Sequence, residues 1–234
     1  MTKVWPEMEE RYMYQYLLFD LDGTLTDSAE GIIKCVQYSA EKMGAPYKDF
    51  EELRVFVGPP LSESFQKVYG FSEEETKQAI VYYRERFKPI GMFENAVYDG
   101  IPEMLKTMKD NGKINLIASS KPEEFVKTIL EHFDIAKYFD IVVGASMDES
   151  RNTKEAVIEE ALFRLKNTDQ HSQYSNDKCV MIGDRKYDIY GAKYFGLRNI
   201  GVSYGFAPEG ELEEAGAEKI VDTVEELTQM LLSE

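Results

Sequence analysis

Cysteine and positive charge are both scarce in this 234-residue sequence. The two cysteines, Cys35 and Cys179, lie far apart, which excludes a disulfide scaffold and a cysteine-based zinc site. The 27 lysines and arginines face 43 acidic residues, so the formal net charge is −16 with histidine neutral. Because a surface this negative repels nucleic-acid backbones and anionic lipid headgroups, we expect neither as a partner.

Long apolar runs are missing too. No run approaches the roughly 18 to 20 residues that a membrane helix requires, and residues 1–15 lack the apolar segment of a signal peptide. Together with the scarcity of cysteine, these features predict a cytoplasmic protein. Apolar residues make up 43% of the sequence, which is too many for disorder, and the length suits a large domain or a domain with a smaller insert.

Short apolar runs alternate with helical patterns over most of the chain. The runs, which are bounded by Gly, Asp or Ser and rich in β-branched residues, predict buried strands at residues 16–21, 114–118, 139–143, 179–182 and 200–202. Apolar spacing and first-turn prolines predict helices over residues 102–108 and 122–132, and Thr153 is a typical cap for a third. This alternation predicts an α/β fold with a parallel sheet covered by helices on both faces.

One stretch departs from the alternation. From residue 28 to about 93 only helical patterns occur, and the sequence Gly58-Pro59-Pro60 interrupts them. We therefore predict that residues 28–96 form a helical cap domain inserted into a core made of residues 1–27 and 97–234. Residues 166–178 are polar and predict a long surface loop.

Acidic residues follow two of the predicted strands. Asp20 and Asp22 leave the first strand just before Gly23, and Asp184 and Asp188 follow the fourth, one helical turn apart. Ligands of open parallel sheets bind beyond the carboxyl ends of the strands. If these ends are neighbours, the carboxylates converge and require a cation between them. A set of oxygen ligands alone favours Mg²⁺ over zinc or copper.

Phosphate donors follow the other predicted strands. Ser119, Ser120 and Lys121 end the second strand, and Lys154 begins the helix after the third. Hydroxyl groups, N–H groups at strand ends and a lysine are typical donors to a phosphate. Adding an aspartate nucleophile, an adjacent carboxyl for proton transfer and a divalent cation gives the groups that phosphoryl transfer needs. Either Lys154 or Lys121 could serve as the lysine.

Three segments resemble motifs of the haloacid dehalogenase superfamily. LLFDLDGTLTDS at residues 17–28 resembles its first motif, LIASSK at residues 116–121 its second, and VMIGDRKYDIYGAK at residues 180–193 its fourth. The helical insert after the first motif is similar to the cap of phosphoglycolate phosphatase-like members. The resemblance covers nearly the whole chain and implies a Rossmann-like parallel sheet core with an inserted all-helical cap.

The resemblance also implies roles for individual residues. Asp20 would be the nucleophile that becomes a phosphoaspartate, and Asp22 the general acid and base, with its backbone carbonyl on Mg²⁺. Asp184 would bind the metal directly and Asp188 would support it. Ser119, with Ser120 beside it, would bind the phosphoryl oxygens. The third motif usually places a proline after its lysine, whereas Lys154 precedes Glu155; the phosphate-binding role still carries over to Lys154, with Lys121 as its competitor.

The sequence thus predicts a Mg²⁺-dependent phosphatase acting on a small phosphorylated metabolite such as phosphoglycolate, a nucleotide or a sugar phosphate. A phosphosugar mutase is an alternative of the same superfamily, and it would need a cap that rebinds a bisphosphate intermediate. A metabolite-binding regulator without turnover is an alternative of another class. The presence of Asp20, Asp22, Lys154 and Asp184 argues against the regulator.

Overall fold

A central sheet of parallel strands organises the protein. The computed structural model describes residues 14–148, 150–168 and 174–233. Among these residues, the strands are β1 (Tyr16–Phe19), β2 (Thr26–Asp27), β3 (Ala96–Val97), β4 (Ile114–Pro122), β5 (Ile141–Ala145), β6 (Cys179–Gly183), β7 (Arg198–Val202) and β8 (Lys219–Val221). Six of them form one sheet in the order β5-β4-β1-β6-β7-β8, in which every pairing is parallel. The predicted α/β, Rossmann-like sheet is confirmed.

Helices cover both faces of this sheet. They are α1 (Ala29–Lys42), α2 (Phe50–Leu53), α3 (Leu61–Tyr69), α4 (Glu73–Phe87), α5 (Ile101–Asp110), α6 (Glu123–His132), α7 (Lys154–Lys166), α8 (Lys186–Tyr194), α9 (Glu211–Ala215) and α10 (Val224–Ser233). None of the helices in the described ranges is both long enough and apolar enough to cross a bilayer.

Alternation along β1 divides the apolar core in two. Leu17 and Phe19 belong to the cluster that contains buried side chains of α5, α6 and α10, whereas Tyr16 and Leu18 belong to the cluster of α7 and α8. Successive side chains of a strand point to opposite faces of its sheet. Because both faces are buried, β1 is an uninterrupted apolar run.

The parallel register brings the ends of three strands together. Phe19, the last residue of β1, lies opposite Ile117 of β4 and Ile182 of β6. The backbone N–H of Asp20 donates to the carbonyl of Ile182 at 2.9 Å. Asp20 therefore leaves the sheet between the residues that lead to Ser119 on one side and to Asp184 on the other.

All four helices from α1 to α4 lie between β2 and β3. These two short strands pair antiparallel, with Thr26 opposite Val97 and Asp27 opposite Ala96, so the chain enters and leaves the helical segment at one place. We call residues 28–95 the insert. Its buried residues, Phe56 and Phe87 among them, join the apolar cluster on one face of the sheet. The division into core and cap domains stays a prediction, and residues 1–13 of the predicted core lie outside the described residues.

Several predicted strand bounds were wrong. β1 ends at Phe19 instead of residue 21, because the Leu21 carbonyl already accepts turn hydrogen bonds from Leu25 and Thr26. β5 begins at Ile141 instead of residue 139, because the Phe139 N–H closes a tight turn to Ala136.

The second predicted strand and the helix after it also differ from expectation. β4 continues to Pro122, which pairs with Ala145 beyond an irregularity that follows Ala118. Pro122 has an extended backbone, with ψ of 130°, so α6 begins at Glu123.

The elements near the carboxyl terminus were not predicted from the sequence. The sequence predicts no element at β8, α9 or α10, and β8 has only three residues, which is too short for a clear pattern. Part of the predicted loop at residues 166–178, residues 169–173, lies outside the described residues.

Candidate active site

The turn after β1 positions the first two candidate residues. The carbonyl of Leu21 accepts hydrogen bonds from the N–H groups of Leu25 and Thr26, and the Gly23 N–H donates to the Thr26 carbonyl at 2.8 Å. Within this turn, the Leu21 N–H donates to Oδ1 of Asp20 at 2.7 Å. Asp20 and Asp22 are both buried. The backbone thus fixes two carboxylates at one end of the sheet.

Three buried carboxylates form what we call the acidic cluster: Asp20, Asp184 and Asp188. One carboxylate oxygen from each lies within 4.8 Å of the others. Oδ2 of Asp184 accepts the backbone N–H of Phe206 at 2.7 Å, while its Oδ1 is buried and has no hydrogen-bond partner in the part of the chain that the structure describes. An unpartnered buried carboxylate oxygen is costly and points to a cation.

Burial and mutual repulsion shift the pKa values in the cluster. Burial raises the pKa of Asp20 to about 6; Lys154 opposes this shift, and the negative charges of Asp188 and Asp22 increase it. The pKa of Asp184 is raised well above its ordinary value by burial and by the neighbouring Asp188 and Asp20. A divalent cation would relieve both effects by stabilising the ionised carboxylates.

Glycines leave room for the acidic cluster. A Cβ on Gly23 would lie 2.1 Å from Oδ2 of Asp184, and one on Gly183 would lie 2.1 Å from Cγ of Asp188. Gly23 also has a φ of +81°, which side-chain-bearing residues rarely adopt. The space for these carboxylates depends on the absence of two side chains.

Lys154 contacts the acidic cluster directly. Its Nζ lies 3.1 Å from Oδ1 of Asp20 and 2.7 Å from Oδ1 of Asp188, and it donates to the carbonyl of Ala118 at 2.9 Å. Burial alone would lower the pKa of Lys154, but the two carboxylates raise it above its ordinary value. Lys154 therefore carries a positive charge beside Asp20.

Lys121, the competing lysine, binds the other aspartate. Its Nζ lies 2.8 and 2.7 Å from the two carboxylate oxygens of Asp22 and 4.9 Å from the ring centre of Phe87 in the insert. The two candidate lysines are both buried and serve different carboxylates. Sequence spacing could not distinguish them, because Lys121 and Asp22 are 99 residues apart.

The two serines lie in different surroundings. Ser119 is buried, and its Oγ accepts the backbone N–H of Lys121 at 3.3 Å. A hydrogen bond from Ser119 also lowers the pKa of Asp20, against the larger effect of burial. Ser120 is half-buried and lines the pocket described next.

A pocket of about 100 Å³ separates the strand ends from the insert. Asp22, Ser120 and Lys121 line it on the side of the sheet. The insert contributes mostly apolar walls, which include Ile32, Phe56, Ile80, Tyr83 and Phe87, together with the turn Gly58-Pro59-Pro60. The sequence did not indicate that these apolar residues line a pocket, since buried core and pocket wall in a helical segment give the same periodic pattern.

Comparison with known proteins shows the family to which the chain belongs. Residues 17–202 match the family model described as haloacid dehalogenase-like hydrolase. The chain is 41% identical over 199 residues to a 5'-nucleotidase of Pseudomonas aeruginosa, with 85% of this chain and 87% of that protein covered. It is 33% identical to tyrosine-protein kinase PtkA of Mycobacterium tuberculosis, over 93% of this chain and 72% of that protein.

Solved structures show the same likeness. The crystal structure of a predicted phosphatase from Clostridium acetobutylicum superposes with a TM-score of 0.88 at 50% sequence identity, and the match covers 94% of this chain and 99% of that one. A putative phosphatase from Clostridium difficile gives a TM-score of 0.80 at 44% identity, with 93% and 98% covered. The chain therefore belongs to the haloacid dehalogenase-like hydrolase family and is a phosphatase within it.

Proposed function

We propose that the protein hydrolyses a small phosphate monoester with the help of Mg²⁺, and that Asp20 is the nucleophile. The observation that carries this proposal is the acidic cluster, in which Asp20 lies beside Lys154 and beside an unpartnered oxygen of Asp184. The cluster holds three carboxylates, and the ammonium group of Lys154 contacts two of them, Asp20 and Asp188. That leaves an excess of negative charge, which a divalent cation would neutralise.

The chemistry of the donors fits Mg²⁺. Carboxylate oxygens are its preferred protein ligands, and it usually keeps several waters. Asp20 and Asp184 would hold the ion, with the backbone carbonyl of Asp22 as a further ligand and Asp188 as support. When bound, Mg²⁺ would supply charge neutralisation at the phosphoryl oxygens.

Two residues then carry the covalent steps. The carboxylate of Asp20 attacks phosphorus, the bond from phosphorus to the ester oxygen breaks, and Asp22 gives a proton to the departing alcohol. Water next attacks the phosphorus of the phosphoaspartate while Asp22 takes its proton, which restores Asp20 and releases inorganic phosphate. Lys154 and the Leu21 N–H both contact Oδ1 of Asp20 and so fix the plane of its carboxylate.

The ion pair between Lys121 and Asp22 has to open during this cycle. Lys121 contacts both oxygens of Asp22, so Asp22 reaches a leaving group only after the lysine moves away. The arriving phosphate, a stronger anionic partner, would draw Lys121 toward itself and release Asp22, whose carboxylate would take up a proton from solvent before giving it to the leaving alcohol. We assign phosphate binding to Lys154, Ser119 and Ser120, with Lys121 as a mobile addition.

Among the candidate substrates we place nucleoside monophosphates first. The insert lines the pocket with Phe56, Tyr83 and Phe87, and such walls suit a planar leaving group better than a two-carbon acid. The relative named 5'-nucleotidase supports the same choice. We further propose that residues 28–96 act as a cap that excludes bulk water, and that the protein works in the cytoplasm, where its buried, free cysteines would stay reduced.

Phosphate release from nucleoside monophosphates, sugar phosphates and phosphoglycolate, each with Mg²⁺ or with a chelator, tests this proposal. Asp20→Asn is expected to lower kcat by at least about 10³-fold, because it removes the nucleophile while keeping its shape. Asp110→Asn, at an exposed aspartate paired with Lys106, is the matched control and should behave as wild type.

Three outcomes would contradict the proposal in whole or in part. Activity that survives Asp20→Asn would remove the nucleophile assignment. Isomerisation of a sugar phosphate without phosphate release would favour the mutase. Tight binding of a metabolite without turnover by the wild-type protein would favour the regulator.

A further inference from the structure

Arg185, directly after Asp184 in the chain, is a buried arginine held from two sides. Its Nε lies 2.8 Å from Oε1 of Glu211, and its Nη2 lies 3.3 Å from Oε2 of the same residue. The backbone N–H of Lys186 donates to that carboxylate as well, at 3.1 Å. Because Glu211 begins α9, this pair fixes the guanidinium to the sheet side of the molecule.

The remaining arm of Arg185 reaches the insert. Its Nη1 donates to the carbonyl of Val57, which is 128 residues away in the chain and fully buried. The next residue, Gly58, has a φ of +103°, and a Cβ there would lie 2.9 Å from Cγ of Arg185. The insert backbone therefore rests directly on the aliphatic part of this arginine.

The same segment of the insert forms part of the pocket. Gly58, Pro59 and Pro60 line it opposite Asp22 and Lys121. A second contact joins the two sides nearby, since the guanidinium of Arg54 lies 5.9 Å from the ring centre of Phe206. The N–H of Phe206 in turn binds Asp184. Both links from residues 54–58 thus end on immediate neighbours or partners of Asp184.

We propose that Arg185 is a positioning residue that holds residues 57–60 in place as a wall of the substrate pocket, an inference that rests on the proposed phosphatase function. Its fork of N–H groups serves a carboxylate on the sheet side and a carbonyl on the insert at the same time. Lysine, with one ammonium group on a flexible stem, cannot reproduce this geometry. Arg185 thereby couples the position of the pocket wall to the acidic cluster without contacting the phosphoryl group.

The first test compares Arg185→Lys with wild type in steady-state kinetics. KM for the best substrate of the panel is expected to rise about ten-fold, with a smaller fall in kcat, because the wall that orients the leaving group is released. The inhibition constant of inorganic phosphate, which binds at the strand ends without touching the wall, should change by less than about two-fold.

Arg164→Lys is the matched control. Arg164 also bridges a carboxylate, Glu123, and a backbone carbonyl, that of Val142, but both partners lie outside the insert. The Arg164→Lys variant should therefore have the KM and the phosphate inhibition constant of the wild type. A variant that weakens phosphate inhibition as much as it raises KM would place the role of Arg185 in the acidic cluster and overturn the proposal.

Hydrogen exchange of the peptide over residues 57–69 gives a readout that does not need activity. Arg185→Lys should speed exchange there and leave the strands at their wild-type rates, whereas Arg164→Lys should not. Gly58→Ala, which pushes the loop away from an intact Arg185, should have the same effect. The double variant should add little to either single one, since both break one contact.

The outcomes separate the two proposals. If the wild-type protein hydrolyses no ester, the proposed function fails, and the exchange experiment alone decides whether Arg185 holds the wall. Unchanged exchange in both Arg185→Lys and Gly58→Ala would overturn the inference even for an active phosphatase, as would an unchanged KM in both.

Discussion

Two groups of buried charges at the strand ends are held differently. In the acidic cluster, Lys154 contacts Asp20 and Asp188, and the three carboxylates are packed so closely that glycines must leave room for them. Beside the pocket, Asp22 and Lys121 form a pair of equal and opposite charges, with Lys121 against the ring of Phe87. The first arrangement carries excess negative charge, whereas the charges of the second are balanced. In the proposed function, the first would hold a cation and the second would supply the proton donor.

The largest contrast is expected between the two lysines. In chelator, Lys154→Met should lower the free energy of unfolding by about 3–5 kcal/mol, because it leaves buried carboxylates without their shared partner. Lys121→Met removes the partner of one carboxylate beside the pocket, and it should cost about 1–3 kcal/mol. Urea unfolding measures both values. Equal losses of unfolding free energy in the two variants would show that the acidic cluster and the Asp22–Lys121 pair do not differ in the way described.

A glycine pair tests the packing of the acidic cluster. Gly23→Ala should lower Mg²⁺ affinity at least ten-fold and destabilise the protein by about 2–4 kcal/mol, because the new Cβ would collide with Asp184. Gly112 has a similar φ, +75°, but nothing lies within 4 Å of a Cβ there. Gly112→Ala therefore isolates the cost of the backbone conformation, about 1–2 kcal/mol. Calorimetric titration measures the Mg²⁺ affinity of each variant. Equal affinities of Gly23→Ala and Gly112→Ala would contradict the expected role of Gly23 in the packing of the acidic cluster.

Substitutions in the part of the insert that lines the pocket should have smaller effects on stability. Phe87→Leu is expected to cost about 1 kcal/mol in unfolding free energy and to raise KM several-fold, since Phe87 both fills the core and lines the pocket. Phe65→Leu changes a buried phenylalanine of the insert outside the pocket lining, so it should cost similar stability with an unchanged KM. A rise in KM for both variants would mean that the wall acts through stability alone.

The smallest effect concerns the two thiols, one in the insert and one in the sheet. Burial raises the pKa of Cys35 in the insert to about 11 and that of Cys179 in the sheet to about 12. Both thiols should stay protonated and unreactive toward iodoacetamide at pH 8 in the folded protein, and both should react in denaturant. The folded-state pKa values of both thiols lie above the unfolded ones. Burial of the protonated thiols therefore contributes fully to the free energy of unfolding below about pH 9, and this contribution is lost as pH rises toward 11 to 12. Fast labelling of native Cys35 alone would reveal opening of the insert.

That the strand ends carrying Asp20 and Asp184 meet could be predicted from the sequence for a physical reason. Both residues come directly after strands whose apolar runs are plain, and parallel pairing brings such ends to one edge. The contacts across the pocket could not be predicted in this way. The partners Lys121 and Asp22, like Arg185 and Val57, are about a hundred residues apart or more, and nothing in either local pattern specifies the other. The apolar walls of the pocket could not be predicted from local pattern either, since Phe87 has the spacing of an ordinary core residue.

The short ribbon of β2 and β3 has a consequence for how such proteins diversify. Thr26 pairs with Val97 and Asp27 with Ala96, so the chain enters the insert and returns from it at adjacent positions. A segment whose two ends meet in this way can be lengthened, shortened or exchanged without reordering any strand. Under the proposed function, the residues that select the leaving group could therefore change independently of those that act on phosphorus, so that one reaction could be applied to different esters.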